Sequence, residues 1–482
     1  MKASPREPTA DLHPQQVSIP PLAPDRFGPL LGEDAWREWK QAIATAREVF
    51  AGHAIWHINS TARGGGVAEM LQSLLGYARG AGVDARWFTI TAGPAFFEIT
   101  KRIHNNLHGA TGDGGPLGPE EREAYEGGLA ANAAELAEIV RAGDVVLLHD
   151  PQPAGLARPL REAGAHVVWR CHVGLDVPNE MARRAWEFLH PYVEYADSYV
   201  FSRPAYAWEG LDEKKTWIVP PSIDAFSPKN QELSPATVAS IVETIGLSAG
   251  DSQAPPTFVR MDGTSSRVDR HAEVDEDTFL PPDANAVIQV SRWDRLKDPS
   301  GLVECFATHC DRPDVHLVLA GPAVEAVADD PEGLEVLREV RAQRRGLPAG
   351  LRQRVHLVTL PMDDVEENAA MVNALQRRAD VIVQKSIAEG FGLTVAEAMW
   401  KGKPVVAGRI GGIQDQIVDR ESGLLIDDPR DLDAFGAAIK DLISDPELAG
   451  RIGLAARERV RGEFLGTRHL TQYLHLLAAM IE

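Results

Sequence analysis

The sequence predicts an α/β protein built from two doubly wound domains, each with a parallel sheet between layers of helices. Short apolar runs alternate with helix-length segments from residue 54 onward, and a second series of the same kind starts near residue 286. Runs that are apolar on consecutive positions are typical of strands buried on both faces of a parallel sheet. The length of 482 residues also fits two or three domains. Two successive α/β domains are therefore the economical interpretation.

The composition excludes several classes of protein. Hydrophobic residues make up 44% and charged residues 25% of the chain, as in folded globular domains, which excludes disorder as the main state. Lys and Arg number 49 against 70 Asp and Glu, so the formal net charge is −21. Such an acidic excess disfavours both nucleic-acid binding and adsorption to anionic lipid. We expect neither kind of partner.

Cysteine usage and hydropathy indicate a cytoplasmic protein. The three cysteines have no CxxC spacing, so neither a disulfide framework nor a zinc site has enough ligands; they are Cys171, Cys305 and Cys310. The N-terminal residues lack the apolar core of a signal peptide, and no stretch reaches the about 18 apolar residues of a membrane span. We therefore expect a protein of the reducing cytoplasm.

The first half of the chain is expected to contain a tail and one domain. Residues 1–30 are rich in proline and polar side chains, which predicts a flexible tail. The first domain is predicted to span residues 31–231. Its strands are predicted from the apolar runs 54–58, 86–90, 145–149, 166–171 and 198–202.

The second half is expected to contain a connecting segment and another domain. Residues 232–283 begin helically and then turn polar and acidic, which fits a linker, a mobile loop or an inserted lid. The second domain is predicted to span residues 284–466, followed by a last helix over residues 467–482. Its strands are predicted from the apolar runs 286–291, 315–321, 354–358, 380–384 and 404–408.

The most informative motif follows the predicted strand 380–384 and begins at Glu389. Gly390 and Gly392 permit a turn that exposes backbone N–H groups, and a helix is predicted to start near Thr394. The positive end of that helix would stabilise an anion, most simply a diphosphate. Thr394 and Glu397 also have the spacing of a capping box, so structural and functional roles for Glu397 stay equally open.

Two cationic residues follow the first strand of the second domain. Arg292 can contact phosphate oxygens in a bidentate manner, and Lys297 supplies a mobile point charge. Together they suit a diphosphate leaving group, whose negative charge grows as it departs. The alternative is a solvated basic pair, which would be favoured if Glu389 were absent.

Glycines and polar residues mark three strand ends of the first domain. Three consecutive glycines stand between a strand and a helix, where the backbone can approach a ligand closely or simply form a flexible connection; they are Gly64, Gly65 and Gly66. The next two strand ends carry groups able to hydrogen-bond sugar hydroxyls; they are His149, Asp150, Gln152, Arg170, His172 and Asp176.

The second-domain motifs resemble those of the retaining glycosyltransferases of family 4, which have the GT-B fold of two Rossmann-like domains facing a central cleft. The resemblance implies that Arg292 and Lys297 hold the donor diphosphate, that Glu389 approaches the sugar hydroxyls and that Glu397 takes the nucleotide ribose. It implies further donor contacts from the loop residues Gly390, Phe391, Gly392 and Leu393. It also implies that the last helix crosses back to the first domain.

The first-domain segments resemble, within that family, the trehalose glycosyltransferring synthases. The similar segments include HINSTARGGGVAEML, TKRIHNNLHG, LLHDPQPAGL, WRCHVGLDVPN and VPPSIDAFSPKN. This resemblance implies transfer from ADP-, UDP- or GDP-glucose to glucose, with no essential metal or other cofactor. A homodimer is an assembly to be tested.

The same resemblance assigns roles to first-domain residues. It places Asp150 at the acceptor glucose, His172 at the donor sugar and the glycines 64–66 beside the reacting groups. The other residues implied on the acceptor side are Gln152, Arg102, His104 and Asn105. Together with Arg292, Lys297 and Glu389, Asp150 and His172 form the predicted catalytic set.

Other functions remain as alternatives. They are transfer to a polysaccharide, lipid or small metabolite, phosphorolysis with inorganic phosphate, and nucleotide-sugar sensing without catalysis. Ala388 stands before Glu389 where a larger basic residue is expected, which leaves the nucleotide base open. Acidic runs at 275–277, 329–330 and 363–364 do not end a predicted strand, so we expect no metal site there.

Overall fold

A computed structural model describes residues 13–62, 65–250, 252–324 and 331–481. The chain forms two compact units. The first contains the described residues up to Pro221 together with those from Gly466 onward, and the second is Ser222–Leu465.

The first unit is a doubly wound α/β domain. Its helices are α1 (Glu33–Val49), α2 (Gly66–Gly80), α3 (Pro94–Leu107), α4 (Pro119–Ile139), α5 (Ala157–Glu162) and α6 (Glu180–Val193). Its strands are β1 (Gln15–Val17), β2 (Ala54–Asn59), β3 (Asp84–Thr89), β4 (Val145–His149), β5 (His166–Cys171), β6 (Ser198–Phe201) and β7 (Thr216–Ile218). Within the described residues the strand order is β1-β3-β2-β4-β5-β6-β7. All neighbours pair in parallel except β1, which is antiparallel to β3.

The second unit repeats the plan. Its strands are β8 (Thr257–Val259), β9 (Ser265–Arg267), β10 (Glu273–Asp275), β11 (Asn285–Val290), β12 (Val315–Pro322), β13 (Val355–Leu360), β14 (Val381–Gln384), β15 (Val405–Gly408) and β16 (Leu424–Ile426). Its helices are α7 (Pro235–Thr244), α8 (Pro299–His309), α9 (Pro331–Gly346), α10 (Ala349–Arg352), α11 (Val365–Arg378), α12 (Leu393–Trp400), α13 (Ile413–Gln416), α14 (Leu432–Ser444) and α15 (Pro446–Glu463). The main sheet has the order β10-β13-β12-β11-β14-β15-β16.

Strand order places one topological switch point in each unit. In the first sheet, the chain runs from β2 to β3 toward one edge, and from β4 through β5 to β6 toward the opposite edge. In the second unit the same reversal falls between β11 and β14. Open parallel sheets bind ligands outside the carboxyl ends of the strands at such a point. The residues that follow β2, β4, β11 and β14 are therefore the first to consider for function.

Helix α16 (Gly466–Ile481) ends the described chain and belongs to the first unit. It packs on α1 and α2 through an apolar face that includes Leu474 and Leu477, both buried. Arg468 fixes its start, because Nη2 donates to the carbonyls of Pro220 and Pro221 at 2.8 and 2.9 Å. The predicted last helix thus starts one residue earlier than expected and packs within the first unit.

The predicted tail differs from the structure over its described part. β1 adds an edge strand to β3, and the side chains of Ile19, Leu22 and Phe27 are buried. Phe27 lies against Trp39 and Tyr77 with ring centroids 6.1 and 4.9 Å away. Residues 13–30 are therefore part of the first unit, because the polar and proline-rich segment carries a few apolar anchors. The rest of the predicted tail, residues 1–12, lies outside the described residues.

The predicted domain boundary and connecting segment also differ from the structure. The division between the units falls after Pro221 rather than after residue 231. β10 pairs with β13 in the second sheet, and the buried carboxylate of Glu367 accepts hydrogen bonds from the N–H groups of Asp269 and Arg270. The described residues of 232–283 are thus an integral part of the second unit, because their acidic side chains and backbone donors find partners there.

Within the described residues, no helix combines the length and apolar character needed to cross a membrane.

Candidate active site

Lys297 and Glu389 form an ion pair at the switch point of the second sheet. Lys297 ends a short 3₁₀ turn after β11, and Glu389 lies in the loop between β14 and α12. Each side chain is 14% exposed. Because β11 and β14 are adjacent and parallel, two residues far apart in sequence meet beyond their carboxyl ends. The structure thus brings together two of the predicted catalytic residues.

Hydrogen bonds fix the turn that carries Lys297. Asp294 caps the turn, accepting from the N–H of Leu296 at 2.7 Å. The carbonyl of Lys297 accepts from Nε2 of Gln289, on β11, at 3.0 Å. Asp298 follows with φ 46° and caps α8 through the N–H of Gly301 at 3.0 Å. The ammonium group of Lys297 is therefore presented by a rigid backbone.

Arg292 lies between β11 and this turn and is more exposed than Lys297. Its Nη2 is 3.2 Å from Oδ2 of Asp294, and 63% of its side chain is exposed. A guanidinium that is largely exposed can be reached by an anionic ligand, to which its planar fork is suited. Its position after β11 is compatible with the predicted phosphate role.

The glycine-containing loop forms a tight turn into α12. Gly392 has φ 83° and precedes the first helical residue, Leu393. The Gly390 carbonyl accepts from the N–H of Gly412 at 3.0 Å, and the Phe391 carbonyl accepts from Nε2 of Gln416 at 2.5 Å. These two carbonyls are thus engaged inside the protein. The backbone N–H groups at the start of α12 form the positive end of the helix, which suits a phosphate.

The capping box considered for Thr394 and Glu397 is not formed. α12 begins at Leu393, close to the start predicted near Thr394, but its cap is Gly392, and the hydroxyl of Thr394 donates to Oε1 of Gln384 at 3.2 Å. Gly392 reaches its left-handed conformation more readily than any other residue, and this sets the helix start ahead of Thr394. The cap of α12 is therefore Gly392 rather than Thr394.

Glu397 is buried beside two lysines. Its Oε1 lies 3.7 Å from Nζ of Lys229, and its backbone carbonyl accepts from Nζ of Lys401 at 3.1 Å. Lys401 also donates to Asn230 and Gln376. Burial lowers the pKa of Lys401 well below its ordinary value, and the nearby Glu397 carboxylate opposes that change. Neither lysine was predicted from the sequence, because Lys229 is distant from Glu397 in the chain and no motif marks Lys401, four residues after Glu397, as more than the residue that ends α12.

In the first unit, Asp150 follows β4 in a strained conformation. It has φ 68°, and its Oδ1 accepts from the backbone N–H of His172 at 2.8 Å. Its own N–H donates to the Arg170 carbonyl at 2.7 Å. Burial raises the pKa of Asp150 to about 6, against the opposing effects of the His172 hydrogen bond and the Arg170 charge. A non-glycine residue with positive φ at a strand end is typical of a functional position.

Three histidines form a row across neighbouring strands of the first sheet. Nδ1 of His57, on β2, lies 3.0 Å from Nε2 of His149, on β4. Nδ1 of His149 lies 3.1 Å from Nε2 of His172, which follows β5. His149 and His172 were predicted at strand ends, whereas the contact with His57 was not predicted. His57 lies in a continuous apolar run whose residues are all buried, so nothing in the local pattern signals the contact.

Arg170 lies fully buried next to this row. Its Nη1 donates to the Phe201 carbonyl at 3.2 Å and its Nη2 to the Ser202 hydroxyl at 3.4 Å. Burial is the main cause that lowers the pKa values of His149 and His172, and the charge of Arg170 lowers them further. The row is therefore neutral, and the positive charge nearby favours Asp150 as a carboxylate.

The remaining first-unit predictions fall on residues with other described contacts. Arg102 makes a bidentate ion pair with Asp113 at 2.6 and 2.8 Å. His104 lies edge-on to His108, with ring centroids 4.9 Å apart, and Asn105 provides a carbonyl for the turn after α3. The Gln152 carbonyl accepts from the Tyr125 hydroxyl at 3.3 Å. The contacts described for Arg102, His104, Asn105 and Gln152 do not join them to Asp150.

The predicted glycine run is described only in part. Gly65 is exposed, with φ 82°, and precedes Gly66, the first residue of α2. Gly64 lies outside the described residues. A helix start after β2 is thus present at the switch point of the first sheet, as the glycine spacing predicted.

Comparison with known proteins shows two matching family models. Residues 57–208 match a model described as trehalose synthase, N-terminal domain, and residues 271–459 match glycosyl transferases group 1. The chain is 37% identical over 440 residues to the trehalose synthase of Pyrococcus horikoshii, covering 91% of this chain and 92% of that protein. It is also 25% identical over 465 residues to the trehalose phosphorylase of Pleurotus pulmonarius, covering 91% of this chain and 59% of that protein.

A solved structure shows the same fold at low identity. It is described as trehalose-6-phosphate from E. coli bound with UDP-2-fluoro glucose, and it matches with a TM-score of 0.64 and 12% identity, covering 88% of this chain and 99% of that one. Together with the family models, this likeness shows the GT-B fold of two Rossmann-like sheets.

Proposed function

The chain belongs to the trehalose synthase family of GT-B glycosyltransferases, and on that premise we propose that it transfers glucose from a nucleoside-diphosphate glucose to free glucose. The product is α,α-trehalose, formed with retention of the anomeric configuration. The observation that carries this proposal is the Lys297–Glu389 pair beyond the adjacent ends of β11 and β14, beside the helix start at Gly392.

The donor is assigned to the second unit. Lys297 and Arg292 bind the diphosphate oxygens, and the N–H groups at the start of α12 add a positive dipole. Glu389 accepts hydrogen bonds from sugar hydroxyls, and Glu397, among Lys229 and Lys401, accepts from the ribose. UDP-glucose is supported as donor by the UDP-2-fluoro glucose named for the E. coli structure, and ADP- and GDP-glucose are tested beside it.

The acceptor is assigned to the first unit. Asp150 is held by the His172 N–H, and its ionised carboxylate accepts a hydrogen bond from a hydroxyl of glucose. His172 offers its remaining ring nitrogen to the donor sugar. Gln152, Arg102, His104 and Asn105 stay as weaker proposals, because their described contacts lead elsewhere.

The reaction breaks the bond between the anomeric carbon and the diphosphate oxygen. A hydroxyl oxygen of glucose forms the new bond on the same face, and its proton passes to the departing phosphate oxygen. The positive groups of Lys297 and Arg292 stabilise the negative charge that develops on that oxygen, an effect that typically contributes several kcal/mol. The balance requires neither a protein nucleophile nor a metal, and we propose that none is used.

Incubation with each nucleoside-diphosphate glucose plus glucose tests this function. Proton NMR is expected to show a symmetric non-reducing disaccharide together with release of nucleoside diphosphate. Rearrangement of maltose without any nucleotide, or slow donor hydrolysis with no disaccharide, would contradict the proposal. A library of other sugars as acceptors then tests transfer to a different small metabolite.

Phosphorolysis is the second candidate, because a trehalose phosphorylase is among the relatives. The two functions differ in the anion that drives the reverse reaction. With trehalose as substrate, nucleoside diphosphate is expected to yield nucleotide-glucose. Formation of glucose 1-phosphate with inorganic phosphate alone would instead identify a phosphorylase.

A further inference from the structure

Three imidazole rings form a continuous row inside the first unit. The rings of His57 and His149 are inclined by 21°, those of His149 and His172 by 17°, and each adjacent pair shares one nitrogen-to-nitrogen hydrogen bond. β2, β4 and β5 are neighbours in the sheet, so the backbone holds the three rings at a fixed spacing. His57 and His149 are buried and His172 is partly exposed.

We propose that His57 and His149 are positioning residues that fix which ring nitrogen of His172 carries the proton. They thereby decide whether the outer nitrogen of His172 donates or accepts a hydrogen bond. The step from this device to sugar binding rests on the proposed function, in which His172 contacts the donor sugar.

Each ring in the row carries one N–H group. Burial lowers the pKa of His57 to about 3 and those of His149 and His172 well below the ordinary value, so the three rings are neutral near pH 7. A neutral imidazole has one donor and one acceptor nitrogen. Each of the two junctions, which are the hydrogen bonds between adjacent rings, needs one donor nitrogen and one acceptor nitrogen.

Only two proton arrangements satisfy both junctions. If Nδ1 of His57 carries its proton, then Nδ1 of His149 and Nδ1 of His172 carry theirs as well, and His172 presents a donor. If the protons are on Nε2 throughout, Nδ1 of His172 presents an acceptor. Any mixed arrangement puts two donors or two acceptors together inside the protein, which loses a buried hydrogen bond.

The surroundings of the inner end make the two arrangements unequal. Nε2 of His57 has no described hydrogen-bond partner, and His57 is one of the residues that line a mainly apolar cavity together with residues of α1, α2 and α16. The Tyr473 ring lies edge to face with His57 at 6.4 Å, and the charge of Arg170 acts on His149 and His172. His469, on α16, stacks on Tyr473 with ring centroids 5.0 Å apart, and burial lowers the pKa of His469 well below its ordinary value. An environment this asymmetric favours one direction of the row.

The direction matters because it decides whether a sugar hydroxyl must donate to His172 or accept from it. Within the described residues, Nδ1 of His172 has no hydrogen-bond partner of its own, so it is left for a ligand. A site built to pair with a hydroxyl in one sense loses that hydrogen bond if the sense is reversed. A change at His57, two rings away, is thereby transmitted to the sugar.

Two variants of His57 separate this role from simple packing. The amide of His57→Asn occupies the region of Nδ1 and can still donate to or accept from His149, whereas His57→Phe keeps the ring volume and removes the hydrogen bond. A packing role predicts that the phenylalanine variant is the better enzyme, since the site borders an apolar cavity. The row predicts the opposite order of activity, with kcat of His57→Phe roughly tenfold below that of His57→Asn. For thermal stability the order is reversed, so that His57→Phe is the more stable of the two variants.

The decisive measurement is the ring ¹⁵N spectrum of the full chain with labelled histidine, the His172 signals being assigned by their loss in His172→Gln. In the unchanged protein, one nitrogen of His172 is expected to be protonated and the other not. In His57→Phe, the protonated and unprotonated signals of the two His172 nitrogens are expected to average or to exchange places. In His57→Asn, the original pattern is expected to be retained more closely. A His172 pattern identical in the unchanged protein and His57→Phe overturns the proposal. This readout needs no turnover, so a failure of the proposed function is seen separately in the trehalose assay.

Discussion

Lys297 and Glu389 are 92 positions apart in the sequence and share an ion pair beyond the ends of β11 and β14. The pair keeps the ammonium group oriented before any substrate arrives. On binding, a diphosphate would compete for Lys297 and release the carboxylate of Glu389 to the sugar hydroxyls. The ion pair therefore connects the two donor contacts that the sequence assigned separately.

Replacing Lys297 by alanine is expected to lower kcat by a factor of 10² to 10³, because stabilisation of a developing anion is worth about 3 to 4 kcal/mol. Steady-state assays with nucleotide-glucose and glucose measure the change. Lys440→Ala provides a matched control, since Lys440 is exposed on α14 of the same unit. Turnover that is equal in the two variants would remove Lys297 from the reaction.

Asp298 holds the buried ammonium group of Lys385, which is 1% exposed. Asp298→Asn keeps an oxygen for the α8 cap but leaves that charge without its carboxylate. The free energy of unfolding is expected to fall by about 3 to 5 kcal/mol. Urea denaturation measures this free energy. The control is Glu458→Gln, in an exposed pair with Arg461, which is expected to change the free energy of unfolding by at most about 1 kcal/mol. Similar values for both variants would mean that Lys385 does not depend on Asp298.

The sequence predicted those strands best that are buried on both faces. The apolar runs 145–149 and 166–171 coincide with β4 and β5, because a continuous apolar run permits few other interpretations. β1 and β10 were missed because both are three-residue edge strands with exposed residues. Their pairing with β3 and β13 depends on tertiary contacts that no local pattern encodes.

The candidate site was predictable to the same extent. Glu389 and Lys297 were found from local motifs, whereas Lys229 and Lys401 are recognised only through their contacts with Glu397. The helix start predicted near Thr394 lies within one residue of the observed start at Leu393, whereas the capping box left open for Thr394 and Glu397 is not formed, because its local pattern cannot reveal the left-handed conformation of Gly392. Side-chain rows such as that of His57 require the strand order, which the sequence did not provide.

Glu397→Gln is expected to raise the KM for the nucleotide sugar about tenfold, the cost of one charged hydrogen bond to a ribose. The KM for glucose is expected to stay within twofold, since the acceptor is assigned to the first unit. Initial-rate measurements with each substrate varied in turn provide both values. Glu447→Gln, at an exposed position on α15, is the control. An equal rise in both KM values would indicate that the substitution disturbs the fold.

Removing divalent cations is expected to leave turnover unchanged. Three carboxylates of the acidic runs already have arginine partners: Asp275 pairs with Arg341, Asp277 with Arg344 and Arg352, and Asp364 with Arg260. Assays after dialysis against EDTA check this expectation. A loss of activity that added Mg²⁺ restores would show that a metal assists the leaving group.

The pH dependence of glucose use is expected to reflect Asp150. Burial raises its pKa from 3.8 to about 6, so the folded protein holds this proton more tightly than the unfolded chain. The contribution of Asp150 to stability is therefore fully present below about pH 4 and is lost as the pH rises to about 6. Activity is expected to rise over the same pH range. The ionised carboxylate only accepts hydrogen bonds, whereas the protonated carboxyl group also carries an O–H donor. We expect kcat/KM for glucose to rise with an apparent pKa near 6 and Asp150→Asn to abolish this rise, with kcat/KM for the donor affected less. A limb near pH 6 that persists in Asp150→Asn would assign it to another group.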